Sequence, residues 1–201
     1  MVSSSELSKA DERGKLQEAL VDQMVSYQEG TLKAFEMLYY AMKPRLFQYL
    51  LSLTFEPSRA EDLLQETFLQ LHRSRRTYQP RRPVMPWAFA IARHVFLMDR
   101  RAGKRRQQHE VSELEDVPEL PIPAEVEQLA DRELIRNALG RVSESRREAL
   151  LMHHVWGFSF GEIGAILGIR KGTAKLRAYR GMQNLRQELG TALADKTDKS
   201  K

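Results

Sequence analysis

The sequence contains no cysteine, which excludes a disulfide framework and any thiolate metal site. It also lacks a long apolar run. No stretch approaches the roughly 20 apolar residues a membrane span requires, and the opening MVSSSELSKADERGK has no apolar signal core. A soluble, cytoplasmic protein is the expectation. No strand signal of useful length and no internal repeat occur. The constellations of an enzyme are missing as well. His153 and His154 are adjacent, so on a helix they point about 100° apart and cannot chelate as an i, i+4 pair would. His72, His94 and His109 have no carboxylate at metal-ligand spacing, and neither a P-loop nor a dinucleotide fingerprint is present. Catalysis is therefore rejected, and no metal, cofactor or small-molecule substrate is expected.

What remains is basic and helical. The 201 residues are 42% hydrophobic, enough for a packed core, and carry a net charge of +5. That charge is distributed in blocks. Residues 72–106 hold 11 basic side chains against Asp99 alone, and residues 107–133 hold 9 acidic ones against Arg132 alone. Residues 134–189 return to 10 basic and 4 acidic. Two basic blocks separated by an acidic one suggest two nucleic-acid-facing modules on a tether.

The first fifteen residues are polar and expected to be frayed. From Leu16, apolar positions recur at helical spacing through Leu20, Met24 and Tyr27. A second helix over residues 32–53 has Phe35, Leu38, Tyr39, Met42, Leu46, Tyr49, Leu50 and Leu53 as its core side; Pro44 should kink or break it. Ser58 and Glu61 form a capping-box pattern for a third helix. On that helix Leu64, Phe68 and Leu71 face one way, while Asp62, Gln65, Glu66 and Leu69 share another side. The second side is either a docking face for a basic partner or an ordinary solvated face, and the spacing alone favours the latter.

Residues 73–86, RSRRTYQPRRPVMP, read as an irregular basic loop. Trp87 then starts a helix on which Trp87, Ile91, Val95 and Met98 form a stripe, with Arg93, Arg100, Arg101, Lys104, Arg105 and Arg106 as its basic rim and tail. Aromatics interleaved with arginines suit single-stranded or partly melted nucleic acid, where bases stack on rings and guanidinium planes. A core tryptophan on a basic helix fits equally well. Residues 107–125 read as an acidic, proline-containing linker. Two helices follow, the first closed by Gly140 and the second capped by Ser143 or Ser145 and ended by Gly157.

Residues 159–186 read as two helices joined by a tight turn. Ser159 and Glu162 make a capping box, and Gly168 sits where a left-handed residue would end the first helix. The second helix carries Ala174, Ala178, Gly181 and Leu185 as a narrow stripe of small residues. Its remaining faces hold Arg170, Lys171, Lys175, Arg177, Arg180 and Arg186, with no acidic residue among them. This fits a DNA-binding helix-turn-helix; an ordinary helical hairpin with a solvated basic face is the alternative.

Three segments, AEDLLQETFLQLHR (residues 60–73), PWAFAIARHVFLMDRRAGKRR (86–106) and EIGAILGIRKGTAKLRAYRGMQNLR (162–186), together resemble the extracytoplasmic-function sigma factors of bacterial RNA polymerase. The resemblance covers most of the chain, roughly residues 20–189. It implies an all-α protein of two small helical domains joined by a flexible acidic linker: residues 16–106, and residues 126–189 with the helix-turn-helix. The polar ends at 1–15 and 190–201 are expected to be disordered on composition. It implies that Asp62, Gln65, Glu66 and Leu69 dock on the β′ clamp helices of core polymerase, reversing the preference stated for that stripe. It assigns Arg75, Arg76, Tyr78, Arg81, Arg82, Trp87, Arg93, His94, Arg100, Arg101 and Arg105 to the −10 element and its melted strand. It assigns Arg170, Lys171, Thr173, Lys175, Leu176, Arg177 and Arg180 to the −35 element. The expected partners are core polymerase, including its β flap, promoter DNA and a cognate anti-sigma factor. A stand-alone helix-turn-helix regulator of duplex DNA is the alternative, and a structural RNA-binding protein a third reading. The chain departs from the family pattern at three places. His94 stands where many relatives have Asn, Arg170 and Lys171 stand where Ser or Pro then Glu are frequent, and Leu176 stands where Ser is frequent. Leu176 offers a thymine-methyl contact in place of a hydroxyl, so the family's usual −35 sequence does not transfer.

Overall fold

A computed structural model describes residues 4–80, 82–107 and 132–198, and the regular structure within them is entirely helical. The first half comprises α1 (Ser4–Gln28), α2 (Leu32–Thr54), α3 (Pro57–Ser74), a single 3₁₀ turn (Arg75–Thr77) and α4 (Val84–Gln107). The second comprises α5 (Arg132–Arg141), α6 (Glu144–His154), α7 (Phe160–Leu167) and α8 (Lys171–Asp198). The linker expected at residues 107–125 falls outside the described residues, apart from Gln107 at the end of α4.

The apolar periodicities become the core. Leu20, Met24 and Tyr27 of α1, Leu38, Met42, Leu46, Tyr49 and Leu50 of α2, and Leu64, Phe68 and Leu71 of α3 are all buried. Several element ends differ from expectation. α1 starts at Ser4, where frayed chain is expected, and α8 continues to Asp198 through the expected disordered tail. Both segments are polar, but the first carries Glu, Lys, Ala and Leu and the last carries Ala, Leu and Lys, and these residues favour helix whether or not they bury a face. α2 passes through Pro44 as one helix. The capping box expected at Ser58 and Glu61 does not form, because α3 begins one residue earlier. Pro57 takes the first helical position, where a fixed φ is an advantage and a missing N–H costs nothing, and Glu56 becomes the N-cap. In the same way α4 begins at Val84 and carries Pro86 within its first turn.

In the second half, α8 packs along α6 and α7. The small-residue stripe is the reason for the close approach: Ala174 and Ala178 are buried, and a Cβ on Gly181 would lie 2.8 Å from the Arg146 carbonyl oxygen of α6. The halves also pack on one another. α7 lies against α4, and Phe89 of α4 meets Trp156 and Phe158 at ring-centroid distances of 5.5 and 4.8 Å. Tyr49 of α2 completes this cluster, 4.9 Å from Phe89 and 5.4 Å from Trp156.

Candidate functional site

The helix-turn-helix is assembled by local chemistry. The Ser159 hydroxyl accepts the Glu162 N–H while the Glu162 carboxylate accepts the Ser159 N–H at 2.7 Å, so both halves of the capping box are made. Gly168 adopts φ 67° and ends α7. The chain then folds back so tightly that a Cβ on Gly164 would sit 2.7 Å from the Ile169 carbonyl oxygen. The Arg170 carbonyl accepts the Ala174 N–H at 3.0 Å, which places Arg170 at the start of α8. With Ala174, Ala178 and Gly181 turned inward, Arg170, Lys171, Thr173, Lys175, Leu176 and Arg180 are exposed and Arg177 is half-buried. No acidic residue occurs between Arg170 and Gln187. The result is a row of exposed cations with an apolar spot at Leu176. Tyr179, 62% exposed and one turn beyond Lys175, belongs to the same surface. It was not singled out from the sequence; the signal is its i+4 spacing from Lys175 on a face without a core partner.

The basic loop and α4 divide into exposed and engaged groups. Arg76, Arg82, His94 and Arg101 are exposed. Arg75 is held close to the body: its Nη1 donates to the His72 carbonyl at 2.8 Å, and its guanidinium lies 5.8 Å from the Tyr27 ring centroid. Gln28 ties the loop down by donating from Nε2 to the carbonyls of Arg75 and Tyr78 at 2.6 and 3.0 Å. Tyr78 is buried, donates its hydroxyl to the Arg82 carbonyl, and packs 5.0 Å from Trp87. Burial raises the Tyr78 phenol pKa above its ordinary value. Tyr78 therefore shapes the loop from within, leaving half-buried Trp87 as the more accessible ring of the pair. Arg93 and Arg100 are committed to the second half of the molecule. Arg93 Nε donates to Glu148 at 3.0 Å, and Arg100 Nη1 donates to both oxygens of Glu144 at 2.6 and 2.8 Å. Arg81 lies outside the described residues, as does the side chain of Arg105 on the last turns of α4.

On α3, Asp62, Gln65 and Leu69 are exposed, and Glu66 is half-buried with its Oε1 accepting from Gln70 at 2.7 Å. Beside this face α2 exposes large apolar side chains among its charged ones. Tyr39 packs 4.6 Å from Phe68 of α3, and next to it Tyr40 is 66% and Met37 51% exposed. Met37 and Tyr40, three residues apart, lie just off the core stripe read from the sequence, so that stripe passes them by.

Two family models match in chain order: Sigma-70 region 2 over residues 38–106 and Sigma-70 region 4 over residues 132–185. The RNA polymerase sigma factor CarQ of Myxococcus xanthus is 37% identical over 83% of this chain and 95% of its own. The ECF RNA polymerase sigma factor SigL of Mycobacterium tuberculosis is 34% identical over 72% of this chain and 84% of its own. The chain belongs to the ECF sigma factors. It directs promoter-specific initiation of transcription by RNA polymerase, binds DNA through its region 4 helix-turn-helix, and is not an enzyme. A solved structure of similar fold is that of the sigma factor RpoE in complex with the anti-sigma factor NepR from Bartonella quintana. It superimposes with a TM-score of 0.70 at 26% identity, covering 79% of this chain and 98% of that one. In this sigma factor the region 2 match ends at Arg106 and the region 4 match begins at Arg132, so the boundary between regions coincides with the acidic segment of the sequence. Among the described residues no helix is long and apolar enough to cross a membrane.

Proposed function

We propose that this sigma factor divides its work among three surfaces. The α3 face of Asp62, Gln65, Glu66 and Leu69 docks on the β′ clamp helices, with Met37 and Tyr40 of α2 extending it as an apolar flank. The loop and α4 surface, from Arg75, Arg76, Tyr78, Arg81 and Arg82 through Trp87, Arg93, His94, Arg100, Arg101 and Arg105, serves the −10 element and its melted strand. Tyr78 acts there by supporting Trp87. The α8 row of Arg170, Lys171, Thr173, Lys175, Leu176, Arg177 and Arg180, with Tyr179 added, enters the major groove at the −35 element while region 4 rests on the β flap. A separate anti-sigma factor restrains the protein; the similar RpoE of Bartonella quintana is seen in complex with the anti-sigma factor NepR.

The observation that carries this reading is the α8 surface. A row of cations free of acids, opposite a Gly/Ala packing face, gives duplex DNA both phosphate attraction and base-edge donors. Run-off transcription with core polymerase on genomic fragments tests it. Discrete start sites that require this protein, and that are lost on replacing Arg170 and Arg180 together by Ala, are the expected result. Undiminished transcription by that variant overturns the α8 assignment.

A further inference from the structure

The end of α1 is fixed by its own cap. Gly30 adopts φ 104°, its N–H donates to the Tyr27 carbonyl at 3.1 Å, and the Thr31 N–H donates to the Ser26 carbonyl at 3.0 Å. These are the two bonds of a Schellman motif, which a left-handed glycine permits. They hold the last turn of α1, which carries Tyr27 and Gln28. Both side chains reach residues 45 to 50 positions further along the chain. Gln28 Nε2 donates to the Arg75 carbonyl at 2.6 Å and to the Tyr78 carbonyl at 3.0 Å, the first residue of the 3₁₀ turn and the residue that ends it. The Tyr27 hydroxyl meets His72 Nδ1, and Arg75 Nη1 faces His72 Nε2 at 3.2 Å. A guanidinium only donates, so Nε2 accepts and the Nδ1–H of His72 is turned to Tyr27.

This grip continues into the loop. Tyr78, whose carbonyl Gln28 holds, donates its own hydroxyl to the Arg82 carbonyl and packs against Trp87. A chain of contacts therefore runs from α1 to the accessible ring of the loop. The turn's own backbone bond, from the Tyr78 N–H to the Arg75 carbonyl, is long at 3.3 Å, so its shape leans on Gln28. α1 itself does not need the contact, because Leu20 and Met24 already bury its inner face. The helix also ends before residue 38, where the region 2 match begins, so that match does not account for the grip. A loop held in its binding shape in advance has little ordering left to do when its ligand arrives.

We propose that Gln28 and Tyr27 are positioning residues for promoter reading: from the end of α1 they pin residues 72–78, so that the loop meets the −10 element already shaped. Neither residue touches DNA in this account; each acts through the loop. The inference rests on the reading of that loop as a −10 surface, while the pinning itself is independent of it.

The test uses the full-length protein with core polymerase on one promoter found by run-off transcription. A panel of templates changes each −10 position in turn and keeps the −35 element. Gln28→Met keeps the length of the side chain and removes its donors. It should lower initiation on the intact promoter by roughly tenfold, the scale of two lost hydrogen bonds. The loss should be smaller on the substituted templates, so that discrimination at −10 narrows while binding to a −35 duplex stays native. In the free protein, trypsin should cut the Arg76–Thr77 bond severalfold faster. An equal loss on every template, as a smaller folded fraction would give, overturns the proposal, and so does cleavage at the native rate. Tyr27→Phe keeps the ring and drops only the hydroxyl. It should narrow discrimination in the same direction to a smaller extent, and it carries the test if circular dichroism shows Gln28→Met unfolded. The double variant Arg76→Ala, Arg82→Ala removes two exposed loop cations and tests the −10 reading directly. If it narrows discrimination and Gln28→Met does not, the positioning role alone is overturned. If it leaves discrimination native, the −10 reading falls, and the role of α1 in promoter reading falls with it.

Discussion

Gly181 and Gly164 show how much of region 4 depends on single atoms. In each case an added Cβ would meet a backbone carbonyl oxygen, at 2.8 and 2.7 Å, and backbone in a packed helix pair or a tight turn cannot step aside as a side chain can. Gly181→Ala should therefore destabilise region 4 by about 1–3 kcal/mol, the usual range for overpacking, read as a lower thermal midpoint in circular dichroism. The constraint at Gly181 was visible in the sequence, because its i+7 spacing from Ala174 marks a face of small residues. The partner of Arg93 was not visible. Glu148 lies 55 residues away along the chain, and a guanidinium carries no local mark of the carboxylate it will meet. Tyr78 is a similar case: an aromatic among arginines reads equally well as a base-stacking ring or a buried support. Only burial and its hydroxyl bond to Arg82 separate the two.

At the scale of the helix, α3 and α8 make opposite demands on charge. Replacing Asp62 by Arg and Gln65 by Ala changes two exposed side chains, so helix content should stay the same while core polymerase is no longer retained in a pull-down. Retention at the native level would remove the docking role from α3. On α8, Arg170→Ala should weaken binding to a cognate −35 duplex by about 1–3 kcal/mol and relax its sequence preference, as loss of a base-edge contact does. Lys175→Ala should instead weaken all duplexes alike and reduce the salt dependence of binding, as loss of a phosphate contact does. Equal losses on every sequence for both variants would argue against base reading by this helix. The existence of these helices was legible because their apolar residues repeat every three or four positions. Their ends were less so. A serine that matches a capping-box pattern yields to a proline one position earlier, and a polar segment with strong helix propensity looks like loose chain when burial is the only guide.

In the whole molecule, the packing of the two halves on one another should respond to acid. Burial raises the Glu148 carboxyl above its ordinary value of 4.5, against the opposing pull of Arg93 and the Tyr49 hydroxyl. In the open form that carboxyl would return to the ordinary range. The closed form then binds the proton more tightly, so closure gains as pH falls through the raised value and levels off below about 4.5. The groups facing Glu148 are Tyr49 from α2, Arg93 from α4, and Glu144 and Arg147 from its own helix. Tyr49, itself raised well above its ordinary value by burial and by Glu148, stays protonated throughout. The informative quantity is the difference in thermal midpoint between the native protein and Glu148→Gln across mildly acidic pH. A difference that does not change with pH would exclude Glu148 as the titrating group.

The sequence by itself determined the class of this protein: the helices, the two basic blocks, the acidic segment between them and the motif order shared with ECF sigma factors. These are properties of neighbours along the chain, where spacing, capping and charge run together. The tertiary structure alone decided which of the arginines are exposed and which are paired across the seam. It also decided that the two halves pack together instead of hanging separately on a linker. That choice depends on contacts between residues tens of positions apart, where the desolvation of one carboxylate is set against the donors a distant helix brings to it. No local pattern in the sequence records that balance.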